Sequence, residues 1–328
     1  MARRAGVSVA TVSRVLNGHR HVGAGPRARV LTAVAELAYR PDVAARSMRT
    51  GSSRAVGYVV SDFANPLFAS IAVGADAALQ PHGYSLVLAN SVHDAAREAD
   101  LLDALRDRRV EGLLVSVVDE RAPGLAERLG EYPAVCLLDR EVEGVRADAV
   151  LFDHAHGITG AVEHLRQLGH ERIALVAGSE NQHGSRARVA AFRAAAGRHL
   201  DERLVRTGEL SAQTGYLATQ DLLALEVPPT ALLAGNNQLL EGVLAAIVDR
   251  GLQIPQDLSL VTCDDVGLAR LHHPPIDVVE RDPLALGRAA AELLLGRVAD
   301  PAAPARRILL PTAFCARASS ATARKRVS

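Results

Sequence analysis

The sequence predicts an α/β protein in which a short helix-turn-helix head precedes two lobes with doubly wound parallel sheets. From Ala55 onward, strand-like apolar runs alternate with helical patterns in two successive series. Ahead of them lie short helical stretches broken at Ala5-Gly6-Val7-Ser8. The length of 328 residues, 48% of them hydrophobic, is enough for more than one core, since a domain takes ~150 residues.

In the head, Gly6 supplies a turn and Ser8 an N-cap for a helix beginning at Val9. Val12, Val15 and Leu16 share one face of that helix, and Val9, Ala10, Ser13, Arg14 and Asn17 another. Asn17-Gly18 closes it. A third helix, Pro26 to Leu37, turns Val30, Leu31, Val34 and Leu37 inward behind the poor cap Gly23-Ala24-Gly25, and Tyr39-Arg40-Pro41 stops it. Val43 to Met48 forms one short amphipathic helix, too short to be stable alone. The head thus covers residues 1–40, and a hinge helix with its linker covers 41–54.

The first series then runs Ala55–Ser61 (strand), Leu67–His82 (helix), Ser85–Ala89 (strand), Ala95–Arg108 (helix), Gly112–Val117 and Ala134–Leu138 (strands). The second runs Gly157–Leu168 (helix), Arg172–Val176 (strand), Ala187–His199 and Thr214–Leu225 (helices), Ala231–Ala234 (strand), Leu239–Arg250 (helix) and Leu258–Thr262 (strand). Two such units in tandem imply a cleft at the carboxyl ends of their strands.

Net charge is zero, 37 basic against 37 acidic residues, which taken alone argues against a nucleic-acid partner. The average hides a division. Residues 1–54 hold ten basic and two acidic residues, a balance of +8, so the rest carries −8. A basic head of this kind is an electrostatic footprint for phosphates. The three cysteines, Cys136, Cys263 and Cys315, are odd in number and far apart, which excludes a disulfide framework and fits a reducing cytoplasm. No secretory leader or spanning segment is found, and no cofactor motif.

The run Ala-Gly-Val-Ser-Val-Ala-Thr-Val-Ser-Arg-Val-Leu-Asn-Gly, followed by Tyr-Arg-Pro and Ala-Arg-Ser-Met, resembles the DNA-binding head of the LacI/GalR family of transcriptional regulators. The resemblance implies that the helix from Val9 lies in the major groove of double-stranded operator DNA. Val9 and Ala10 would set base preference, Arg14 would bond a base edge, and Thr11, Ser13 and Asn17 would anchor phosphates. It also implies that Ala45, Arg46 and Met48 enter the minor groove with their dimer mates, Met48 as the wedge. Met48 stands where Leu is usual and Asp42 where Asn is usual. The family carries residues ahead of this point and Val in place of Met1, so Met1 is expected to fall inside helix 1, an internal GTG codon having been read as the initiator.

The body resembles the same family's periplasmic-binding-protein-like sensor, through Asp62-Phe63-Ala64-Asn65-Pro66-Leu67-Phe68, Leu168-Gly169-His170-Glu171-Arg172-Ile173-Ala174, Pro229-Thr230-Ala231 and Asp264-Asp265. The resemblance implies an N-lobe of 55–152 with 281–311, a C-lobe of 153–280 with 312–318, and a homodimer that binds a pseudo-palindromic operator. It places effector contacts at Leu67, Phe68, Asp139, Phe152, Arg188, Leu210, Asn236, Asp264 and Arg281. Leu210 replaces a frequent aromatic, Asn237 an Asp, Thr262-Cys263 a Gly-aromatic pair, and Arg281 a common Gln. Arg188 and Arg281 together lead to the expectation of a sugar-like, anionic effector. Whether that effector induces or co-represses is left open.

Other motifs carry less. His154 with His156, and His272-His273, lack a further ligand at zinc spacing and read as hydrogen-bonded or solvated. Gly23-Ala24-Gly25 lacks a phosphate loop's Lys-Ser/Thr, and Ser185 and Ser211 lack a nucleophile elbow. With no convergent acid, base and nucleophile set, an enzyme is not expected. The tail 319–328 is expected to be disordered. The rival reading is a solute-binding protein that does not bind DNA.

Overall fold

The computed structural model describes residues 1–16, 21–37 and 52–324, and the chain divides into two compact units, Met1–Ser53 and Arg54–Ser328. In the first unit, α1 (Ala2–Ala5) ends on Gly6 at φ 60°, a left-handed turn open to glycine at no steric penalty. Ser8 Oγ then accepts the Thr11 N–H at 3.1 Å, capping α2 (Val9–Leu16). In α3 (Ala24–Glu36), Gly23 at the N-cap makes no side-chain cap bond. Ala5, Val12, Val15, Val30 and Ala33 form the core. Leu31 and Leu37, expected inside, are 54% and 50% exposed. Each residue turns a helix by ~100°, so once Val30 points inward Leu31 cannot, and Ala33 takes the next inward position. The readings for Asn17-Gly18, for Tyr39-Arg40-Pro41 and for the hinge residues Ala45, Arg46 and Met48 fall outside the described residues.

The second unit runs β1 (Ala55–Val60), α4 (Pro66–Leu79), β2 (Ser85–Asn90), α5 (Ala95–Asp107), β3 (Gly112–Val115), α6 (Leu125–Gly130), β4 (Val135–Leu138) and β5 (Asp148–Phe152). It continues with α7 (His154–Gln167), β6 (Ile173–Gly178), α8 (His183–Ala196), β7 (Val205–Gly208), α9 (Ala212–Leu223), β8 (Ala231–Ala234), α10 (Asn237–Asp249) and β9 (Ser259–Cys263). The last elements are α11 (Gly267–Leu271), β10 (Asp277–Glu280), α12 (Pro283–Ala299), β11 (Arg307–Leu310) and β12 (Ala313–Cys315). One sheet has the order β11-β5-β4-β3-β1-β2 and is parallel throughout; the other has the order β12-β10-β9-β8-β6-β7, with β12 antiparallel.

The two-residue period divides each strand between two cores. Val56, Tyr58 and Val60 of β1 meet α4 and α12, whereas Val59 meets α5 and α6 on the other face. In the second sheet, Ala174 and Val176 face α9 and α10, and Leu175 faces α7 and α8. Helices α4 and α12 touch backbone to backbone. A Cβ on Gly74 would lie 2.1 Å from Leu284 O, and one on Gly287 would lie 2.0 Å from Ile71 O. The chain passes between sheets three times, at Phe152 to His154, at Glu280 to Pro283 and at Leu310 to Ala313. No helix among the described residues is long and apolar enough to cross a membrane.

Residues 319–324, expected to be disordered, are fastened to the second lobe. Ser319 is fully buried, accepting the Asp277 N–H at 2.7 Å and donating to Leu260 O at 2.5 Å. His170 bonds Ala321 O at 2.9 Å, and the Ala323 N–H donates to Leu168 O at 2.8 Å. The small polar residues of this tail, which read as disorder from composition, satisfy buried strand ends instead. Residues 325–328 are outside the described set.

Candidate functional site

The carboxyl ends of both sheets open onto one cleft, as crossover connections require in doubly wound sheets. Asp139 follows β4 and Asp264 follows β9, each in the left-handed region at φ 53° and 81°, unusual for non-glycine residues and frequent at functional sites. Phe152 ends β5, Arg281 follows β10, Arg188 lies on α8, Leu210 follows β7, and Asn236 caps α10. Leu67 and Phe68 open α4, where Asn65 Oδ1 accepts the Leu67 N–H at 3.0 Å. Eight of the nine positions singled out in the sequence line one pocket, and the ninth, Asp264, is bonded to Arg281 in its wall.

The centre of the cleft is an ionic chain. Arg281 Nε donates to Asp264 Oδ1 at 2.5 Å and its Nη1 to Asp139 Oδ2 at 3.1 Å, so one guanidinium spans the two lobes. Its carbon also sits 5.1 Å from the centroid of Phe152. Asp139 further bonds His154 Nε2 at 2.9 Å. Burial opposes the ionisation of Asp139, yet His154, Arg281 and Arg188 outweigh it and hold the carboxyl well below the usual range. Burial pushes the His154 ring down to about 4, with Asp139 opposing and Arg188 assisting, so it is neutral at pH 7. Gly184 packs closely here, since a Cβ there would lie 3.1 Å from both Asp139 Oδ2 and His154 Nε2 and would require them to shift by a few tenths of an ångström.

Of the two arginines behind the expected anionic preference, one is already engaged by protein carboxylates. Arg281 faces two carboxylates and is already neutralised, whereas Arg188, 4% exposed, makes no ion pair among the described residues. Arg140, also in the pocket wall, is directed at the carbonyls of Val117 and Asp139, at 2.8 and 2.9 Å. Asn236 Oδ1 accepts the Leu239 N–H at 2.8 Å, leaving its amide nitrogen for the cleft with only a 3.4 Å contact to Gln238. Sequence reasoning missed Arg140, Gln182, Ser185 and Gln238 as cleft residues, which reach it from loop ends and helix starts, whereas His154, read as hydrogen-bonded or solvated, is bonded to Asp139. A polar residue just after a buried strand run, as Arg140 is, was the available signal.

Further bonds join the lobes in and around the pocket. Gln238 Nε2 donates to Asp62 Oδ2 at 2.9 Å, Gln182 Nε2 to Val118 O at 2.8 Å, and the His183 N–H to Glu120 Oε1 at 2.6 Å. Arg186 pairs with Glu120 at 2.7 Å. In the head, the face of α2 opposite the core presents Val9, 75% exposed, with Ala10 and Arg14 also exposed and Thr11 and Ser13 half-buried.

Comparison with known proteins agrees with both units. Residues 1–42 match the model for bacterial regulatory proteins of the lacI family, and residues 162–320 match a periplasmic binding protein-like domain. The ribose operon repressor of Escherichia coli is 31% identical over 325 residues, 98% of each chain. The chain belongs to the lacI family of bacterial regulatory proteins. The HTH-type transcriptional repressor PurR of Vibrio campbellii is 31% identical over 305 residues, covering 92% of this regulator and 91% of the relative. Among solved structures, the lac repressor dimer bound to operator and the anti-inducer ONPF superposes with a TM-score of 0.86 at 29% identity, over 98% of this chain and 97% of that one. A LacI family regulator from Enterococcus faecium with bound ribose gives 0.72 at 27% identity, over 82% and 100%.

Proposed function

We propose that this regulator is a homodimeric, cytoplasmic transcriptional repressor that reads a pseudo-palindromic operator with α2. Its operator affinity would be set by a neutral polyhydroxyl effector, such as a monosaccharide, in the cleft. The observation that carries the effector reading is a pair of buried polar atoms facing one pocket. Arg188 Nε and Ser185 Oγ have no hydrogen-bond partner among the described residues, and buried polar groups otherwise rarely go unpaired. Sugar hydroxyls can donate to Ser185 and to the two carboxylates and accept from Arg188 and Asn236. Leu67, Phe68, Phe152 and Leu210 supply apolar walls. Two buried carboxylates at the cleft, Asp139 and Asp264, call for hydroxyl donors and disfavour a sugar acid or phosphate beside them. A purine is less well served, because the Phe152 face is covered by Arg281 and Leu210 offers no ring to stack on. The likeness to the ribose operon repressor and to the ribose-bound regulator supports the same class.

Calorimetric titration of the full chain with ribose, cellobiose, ribose 5-phosphate and a purine base tests the effector class. A neutral sugar is expected to bind, and tight binding of the phosphate alone would overturn the reading. Footprinting upstream of the protein's own gene at stated salt tests the repressor, with a protected palindrome expected. Arg14→Ala should weaken operator binding by ~1–3 kcal/mol and relax preference at one base pair.

A further inference from the structure

Arg281 is placed where a cleft ligand would be expected to act. It stands on the crossing from β10 to α12, its side chain is 7% exposed, and its two donors are shared between Asp139 of one lobe and Asp264 of the other. These are the carboxylates to which the hydroxyls of a polyhydroxyl effector would donate. The lobes are also joined at their rims by the Gln182, His183 and Arg186 bonds to the 117–120 loop.

We propose that Arg281 is a built-in competitor of the effector: it holds the cleft closed by bridging Asp139 and Asp264, and a ligand gains those carboxylates only by displacing it. This rests on the polyhydroxyl reading for the identity of the ligand, though not for the bridge itself. A ligand binding to a cleft already held shut must break the bridge first, so the bridge lowers affinity by the factor that it favours the closed state. Arg281 then sets selectivity as well, because a ligand is admitted only if its hydroxyls replace both guanidinium contacts.

The test uses the full chain, without and with ribose, and compares the wild type with Arg281→Gln and Arg281→Lys, circular dichroism melts showing that each is folded. Amide hydrogen exchange is read over residues 117–121 and 181–186, where the Glu120 N–H donates to Asn181 O and the His183 N–H to the Glu120 side chain across the lobes. Both variants are expected to exchange there at least tenfold faster than unliganded wild type, since the Lys ammonium lacks the fork that reaches both carboxylates. Arg281→Gln is expected to bind ribose at least tenfold more tightly. Unchanged exchange in both folded variants would overturn the bridge. Weaker sugar binding by Arg281→Gln would overturn the competition, making Arg281 a direct ligand donor. If no protein binds a sugar while exchange still rises, the bridge stands and the effector assignment alone fails.

Discussion

The two lobes of the sensor unit share one strand order but neutralise the same buried acid differently. Asp148 opens β5 in the first lobe and Asp277 opens β10 in the second, equivalent strands in equivalent sheets, and both side chains are fully buried. Asp148 is held by two arginines, Arg297 at 2.7 and 3.0 Å and Arg306 at 3.2 Å, and their bonds hold its carboxyl low against burial. Asp277 instead takes the Arg317 N–H at 2.6 Å and the Ser319 N–H at 3.4 Å, with the Ser320 hydroxyl also bonded to it. The first lobe relies on charge and the second on its own returning tail. The same backbone frame therefore accepts either solution, provided that every carboxylate oxygen is bonded.

Breaking the arginine solution should have the largest effect. Arg297→Ala leaves a buried carboxylate short of its best partner and is expected to lower stability by ~3–5 kcal/mol, read by denaturant unfolding. A loss under 1 kcal/mol would mean that Arg306 suffices. Next comes Glu98, a first-lobe acid that is 1% exposed and, among the described residues, is bonded to no arginine and accepts the Val118 N–H at 2.9 Å. Burial pushes its carboxyl up to about 7. The folded state then binds the proton more tightly than the unfolded chain, so stability falls as pH rises from about 4.5 to 7 and levels off above. Glu98→Gln should remove that decline and gain ~2–3 kcal/mol at pH 8 relative to the wild type. A pH–stability curve of unchanged slope in the variant would refute it. The smallest effect belongs to the second lobe's solution: Ser319→Ala removes two hydroxyl bonds and should lose ~1–2 kcal/mol, seen as a lower melting temperature. A loss matching that of Arg297→Ala would erase the distinction between the lobes.

Much of this frame is legible in the sequence, because buried parallel strands such as Ala231–Ala234 are short apolar runs with turn residues on either side. Helix α12 escaped notice for the opposite reason. It is flanked by the first sheet and α4, so its apolar residues surround it and leave little periodic contrast. Strands β5, β7 and β10 are short or begin with charged or polar residues and give weak signals. The site residues were found individually through the resemblance. What could not be read was their pairing: nothing local to Arg281 indicates that Asp139 and Asp264 will meet at its two ends.

The left-handed backbone at Asp139 and Asp264 also narrows how this cleft can change by mutation. Among L residues, Asp and Asn tolerate that conformation best, and glycine adopts it freely. From an aspartate codon, both asparagine and glycine lie one base change away, while most other substitutions would strain the strand end as well as alter the chemistry. Drift at these two positions should therefore run along a short path of Asp, Asn and Gly, shedding charge before it disturbs the fold.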